Sequence, residues 1–111
     1  MDDTRARELL TRERERIERA LADLESPYDV RDEPRDASEE GTDMFQEELD
    51  EGIAERLREE LAAVERAEKR LAEGKYGVSI ESGEPIPDGR LEAIPWAVRT
   101  AEEQSRYERG R

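Results

Sequence analysis

Apolar side chains are sparse and regularly spaced in the first part of this chain: Leu10, Ile17, Leu21 and Leu24 recur at intervals of seven, four and three along an otherwise charged segment. Such intervals put side chains on one stripe of an α-helix, at the narrow width of a coiled-coil seam. Thr4 is the predicted N-cap. Ser26-Pro27 ends the segment, because proline disfavours helical geometry in the residue before it and has no amide donor. The predicted first helix is about 21 residues long. From Tyr28 to Gly41 the pattern disappears into acidic residues with Pro34 and Gly41, which read as a turn or loop. It returns with Phe45, Leu49, Ile53, Leu57, Leu61, Val64 and Leu71, predicting a second helix of roughly 30 residues that ends near Gly74 and spans about 45 Å. Two narrow stripes joined by a short loop satisfy each other best by folding antiparallel, since neither can bury its apolar edge alone. The expected fold class is therefore mainly α, with an antiparallel coiled-coil helical hairpin over residues 1–74.

Composition supports a slender shape. The chain has 111 residues, enough for one domain, but only 33% of them are apolar, which limits the core to a thin one. The net charge of −13 repels nucleic acid at long range, so no direct nucleic-acid binding is expected. The absence of Cys and His excludes disulfides, thiol catalysis and the common zinc-ligand sets. No apolar run approaches the roughly 20 residues that cross a bilayer, and Met1 to Arg7 lack a following apolar signal core. A cytoplasmic protein with no membrane contact is expected.

After Gly74 the chain turns to Gly, Pro and β-branched residues, in Tyr76-Gly77-Val78-Ser79-Ile80, Gly83-Glu84-Pro85-Ile86-Pro87 and Asp88-Gly89. This predicts a small knob of tight turns over residues 75–111, with a short hairpin and a polar C-terminal helix from about Ala97 to Arg109. Leu91, Ile94, Trp96 and Val98 are candidates for its core.

The segment Tyr76-Gly77-x-Ser79-x-x-Ser82-Gly83-Glu84-Pro85-Ile86-Pro87, followed by Arg90-Leu91-Glu92-Ala93-Ile94-Pro95-Trp96-Ala97, resembles the zinc-knob signature of the DksA/TraR family of transcription regulators. A preceding helical hairpin with an acidic tip matches the rest of that architecture. The resemblance places the family's four cysteines, two C-x-x-C pairs separated by 17 residues, on Ser79, Ser82, Thr100 and Glu103. Neutral hydroxyls are poor zinc ligands and one carboxylate cannot compensate, so a degenerate zinc-finger-like knob without metal or other cofactor is expected. Losing a metal that contributes about 10 kcal/mol to small zinc domains leaves the knob to apolar packing and turns. Val78, Ile80, Ile86, Leu91, Ile94 and Trp96 are the candidates for that packing, helped by docking on the base of the hairpin.

The resemblance further implies a partner, RNA polymerase, whose secondary channel receives the hairpin, and a function carried by acidic residues at the tip near 28–42. The family's tip pattern, roughly Asp-x-x-Asp-x-Ala, finds its nearest match in Glu33-Pro34-Arg35-Asp36-Ala37-Ser38. Asp36 takes the second acidic place and Glu33 the first, with Asp32 as the neighbouring alternative. The competing reading of these acids is a solvated turn. Arg90 and Arg99 are candidates for contact with polymerase or a nucleotide effector, or for surface salt bridges. A monomer is expected. The alternative from a different class is a structural coiled-coil interaction module, in which the apolar stripe is buried between chains. An enzyme is not expected, because a thin hairpin offers no concave apolar pocket, and the tip acids lack the spacing of an EF-hand loop.

Overall fold

In the computed structural model the described residues are 1–25 and 40–110. They form four helices: α1 (Asp3–Glu25), α2 (Glu40–Ala72), α3 (Asp88–Ala93) and α4 (Ala101–Arg109). The principal extents of 57 × 33 × 20 Å reflect the length of α2. Among the described residues no helix is long and apolar enough to cross a membrane.

The two long helices pack antiparallel, as their cross-links show: Arg14 of α1 pairs with Glu65 and Glu68 of α2, whereas Arg16, further along α1, pairs with Glu60, further back along α2. The seam between them is the predicted stripe. Leu10, Ile17, Leu57 and Val64 are buried together with Ala67, and Leu21, Leu24, Leu61 and Leu71 pack against them. Ala6 and Leu9 are also buried, which thickens the seam toward the start of α1. Leu49 and Ile53 depart from the expectation. They continue the stripe in sequence but are 46% and 38% exposed.

The start of α1 differs from the prediction as well. The cap is Asp2, whose carboxylate accepts from the Arg5 amide at 2.7 Å, while Thr4 lies inside the helix and is exposed. Capping needs the side-chain oxygen two or three residues ahead of a free amide, and Asp2 has that register. At the other end, α2 terminates on Gly74 at φ 75°, with the Lys75 amide donating to the Arg70 carbonyl and the Gly74 amide to the Leu71 carbonyl. This is a Schellman closure, which needs a left-handed residue and so favours glycine.

The seam is flanked by Arg14, whose guanidinium forks onto the Glu68 carboxylate and also reaches Glu18 and Glu65. Glu68 and Glu18 hold the Arg14 pKa above its ordinary value, with the Glu68 hydrogen bond the largest cause. Because the side chain is partly exposed, the pair contributes modestly. Arg14→Met, which keeps the alkyl stem on the seam, is expected to cost about 1 kcal/mol in low salt and less in high salt, read from urea unfolding at both ionic strengths.

Beyond Gly74 the knob contains a single antiparallel bridge, Val78 to Pro85, in place of a fuller hairpin. The Ser79 amide donates to the Glu84 carbonyl and the Ile86 amide to the Gly77 carbonyl, closing a tight turn in which Gly83 takes φ 75°. Ile86, Leu91 and Ala97 form the knob's buried centre, with Met1, Tyr76 and Ile94 against it. Ile80 corrects the predicted packing. It is 50% exposed, because its amide donates to the Val98 carbonyl while the adjacent Ser79 turns inward. Ile80 opens the turn at residues 80–82, where its side chain faces solvent while that of Ser79 faces inward.

Knob and hairpin share a continuous interior. Tyr76 packs against both apolar clusters and Trp96 against that of the hairpin. The Tyr76 hydroxyl donates to the Pro95 carbonyl at 2.8 Å, and burial pushes its pKa up to about 12. Arg70 on α2 donates to the carbonyls of Lys75 and Val78, and Arg5 on α1 forks onto Glu92 at 3.0 and 2.8 Å. The knob is thus fixed to the end of the hairpin formed by the start of α1 and the end of α2.

Candidate functional site

The sequence points to two sets of residues, one in the segment between α1 and α2 and one in the knob. The tip residues Asp32, Glu33, Asp36, Ala37 and Ser38 lie outside the described residues. In sequence they fall between α1, which ends at Glu25, and α2, which begins at Glu40.

Ser79, Ser82, Thr100 and Glu103 do come together. The Ser79 hydroxyl donates to the Glu103 carboxylate at 2.7 Å and accepts from the amides of Glu81 at 3.0 Å and Ser82 at 3.2 Å. The same Glu103 oxygen accepts from the Thr100 amide at 2.8 Å, while the Thr100 hydroxyl accepts from the Glu103 amide at 3.2 Å. The Thr100–Glu103 pair is a capping box at the start of α4. It satisfies two amides that the first helical turn leaves without partners. Ser79 is 4% exposed and Glu103 6%. Hydrogen bonds hold the Glu103 carboxyl down at about 2; the Ser79 hydroxyl has the largest effect, followed by the Thr100 amide and the Ser82 hydroxyl.

Arg90 and Arg99 are also drawn into the knob. Arg90 donates to the Arg99 carbonyl at 2.9 Å, and Arg99 pairs with Glu81 and lies over the Tyr107 ring, 3.8 Å from its centroid. These contacts tie α4 to the turn and α3. Of the two alternatives read from sequence, Arg99 makes a salt bridge and Arg90 bonds a backbone carbonyl; their partners were not legible, because the residues only meet once the knob is closed. The shallow groove between α1 and the end of α2, lined by Arg7, Leu10, Thr11, Glu68, Leu71 and Ala72, measures about 220 Å³, smaller than usual ligand pockets. Among the described residues no group of three or more Asp and Glu could hold a metal ion.

The structure superposes on that of transcription factor DksA2 from Pseudomonas aeruginosa with a TM-score of 0.72 and 32% sequence identity, over 96% of this chain and 83% of that one. The chain belongs to the DksA/TraR family. The family model for the prokaryotic dksA/traR C4-type zinc finger matches residues 74–109. Over 68 residues the chain is 40% identical to general stress protein 16O of Bacillus subtilis (strain 168), a match covering 61% of this chain and 42% of that protein. Over 55 residues it is 42% identical to the RNA polymerase-binding transcription factor DksA of Caulobacter vibrioides (strain NA1000 / CB15N), covering 50% of this chain and 39% of that protein. The matches therefore span about two fifths of the length of these curated relatives.

A DksA/TraR finger of the C4 type implies a zinc ion held by four cysteines, and the donor set here does not fit one. The chain has no cysteine or histidine. The carboxylate in the cluster already accepts from a hydroxyl and an amide. Zinc sites of this type need thiolate or imidazole ligands, and hydroxyls do not replace them.

Proposed function

We propose that this protein regulates transcription by binding RNA polymerase, with the hairpin inserted into the secondary channel and the acidic tip acting near the catalytic magnesium. The observation that carries the reading is the superposition on transcription factor DksA2, which extends over hairpin and knob together. A stalk in which α2 alone runs for 33 residues supplies a reach of about 50 Å. At its end, Asp36, with Glu33 or Asp32, Ala37 and Ser38, forms the active segment. Carboxylates on a narrow stalk steer into a cationic channel and pair with basic side chains or perturb a magnesium-bound site. Arg90 and Arg99 stand at the other end, where a knob would meet the channel rim.

Asp36→Asn tests the tip. The substitution is expected to abolish the effect on transcription in vitro while leaving affinity for polymerase within about threefold, since a few contacts along a docked stalk carry most of the binding and the tip carboxylate is one among many. Equal transcriptional activity of Asp36→Asn and wild type would remove Asp36 from the mechanism.

A second reading, a structural coiled-coil module, draws on the exposure of Leu49 and Ile53 on α2. Sedimentation over a concentration series separates it from the first: a dimer persisting at submicromolar concentration favours the module, and a monomer favours the regulator.

A further inference from the structure

At the Ser79–Ser82–Thr100–Glu103 cluster, the family's description and the chemistry of this chain part company. A C4-type finger joins two short segments through a cation surrounded by four anions. In this chain the same role falls to one anion surrounded by dipolar donors. We propose that the Glu103 carboxylate takes the place of the metal, tying the turn at residues 79–84 to the first turn of α4, so that the knob folds without zinc.

The geometry gives this cross-link the connectivity a metal would have. Ser79 and Glu103 are 24 residues apart in sequence, and their hydrogen bond is buried. The Ser79 hydroxyl is used fully: it donates to Glu103 and accepts from two amides of its own turn. Glu103 in turn is anchored to Thr100 through both its carboxylate and its amide. Each link therefore belongs to one of two rigid pieces, the turn or the start of α4, and the buried charge-assisted hydrogen bond from Ser79 to Glu103 joins the pieces at their centre. No buried side-chain nitrogen or oxygen among the described residues lacks a partner. A half-satisfied polar cluster would destabilise the knob, whereas a complete one specifies it. The Arg99–Glu81 ion pair and the Ile80-to-Val98 backbone bond close the same interface from outside.

Zinc would gain little by displacing this arrangement, because it would find one carboxylate and neutral hydroxyls, and the carboxylate would have to give up its donors. The inference rests on family membership and the cluster's geometry, and is independent of polymerase binding.

The test uses the full chain, with Trp96, the single tryptophan, reporting on the docked knob. Protein prepared in zinc-supplemented medium is expected to carry substoichiometric zinc by elemental analysis and to unfold at the same temperature with and without chelator. Glu103→Gln and Ser79→Ala are each expected to lower the Trp96-monitored transition by about 5 °C, and the double variant by little more than either, because both remove one shared interaction. Ser79→Ala keeps every charge and remains informative if Glu103→Gln fails to fold. The combined variant Ser79→Cys/Ser82→Cys/Thr100→Cys/Glu103→Cys is expected to take up one cobalt(II) with a thiolate charge-transfer band. One zinc per wild-type chain whose removal lowers the transition, single variants that melt like wild type, fully additive losses, or a four-cysteine variant that takes up no cobalt would each overturn the proposal.

Discussion

Ile17→Ala is expected to lower the stability of the hairpin by about 3 kcal/mol and its melting temperature by more than about 10 °C, read by far-UV circular dichroism. Ile17 is fully buried on the seam, between Leu10 on its own helix and Leu57 and Val64 on α2. Truncation removes the transfer free energy of three carbons and leaves a void that two long helices cannot close without shifting along their whole length. A core this thin has few other contacts to fall back on, and a typical domain has only about 5–15 kcal/mol in total. Leu49→Ala provides the contrast. Its side chain is 46% exposed, so the same chemical deletion is expected to cost well under about 1 kcal/mol. Equal losses at the two positions would mean that the seam extends further along α2 than the structure places it.

The second large effect is on the knob in acid. Glu103 has its pKa lowered from 4.5 to about 2 by the Ser79 hydroxyl, the Thr100 amide and the Ser82 hydroxyl. A carboxyl whose folded pKa is depressed contributes stability above its unfolded value, and that contribution disappears as pH falls through the folded one. The Trp96-monitored transition is therefore expected to be flat from pH 7 to about 5 and to fall between about pH 4.5 and 2. Glu92, lowered by its hydrogen bond to Arg5, acts with the same sign across the docking surface, so Glu92→Gln is the control that separates the two. Acid also neutralises much of the excess of 32 acidic over 19 basic residues and so relieves repulsion along the hairpin. For that reason the knob signal, and not total helicity, is the readout. If Glu103→Gln retained the wild-type acid profile, the carboxylate would not be what holds the turn to α4.

The hairpin was legible because its signal is periodic. Leu10, Ile17, Leu57 and Val64 repeat at helical spacing, and nothing else in a strongly charged segment competes for the seam. The cap at α1 was misplaced by two residues because Asp2 and Thr4 are both good capping residues, and only the register of the Arg5 amide decides between them. The cross-links Arg14–Glu68 and Arg5–Glu92 depend on the stagger of the helices and on the docking of the knob, neither of which is written in local spacing.

In the knob, periodicity fails and residue type misleads. Ile80 looks like core and Ser79 like surface, yet the burial is reversed because Ser79 answers a carboxylate 24 residues away. The resemblance to a metal-binding signature pointed to Ser79, Ser82, Thr100 and Glu103 as positions that had lost their ligands. It implied that the four positions are neighbours but gave no sign that they would bond to one another, since replacing a metal by a carboxylate has no sequence pattern of its own. Packing by Ile86, Leu91 and Ala97 accounts for the knob's interior, and the polar cluster for its closure.

The most direct test of the functional reading is binding of the full chain to core RNA polymerase, measured by fluorescence anisotropy with and without a Gre-type factor that occupies the secondary channel. Saturable binding that the competitor displaces is the result expected for a hairpin inserted in that channel. Saturable binding that the competitor leaves untouched would place the protein elsewhere on polymerase, and no binding at micromolar concentration would contradict the account outright.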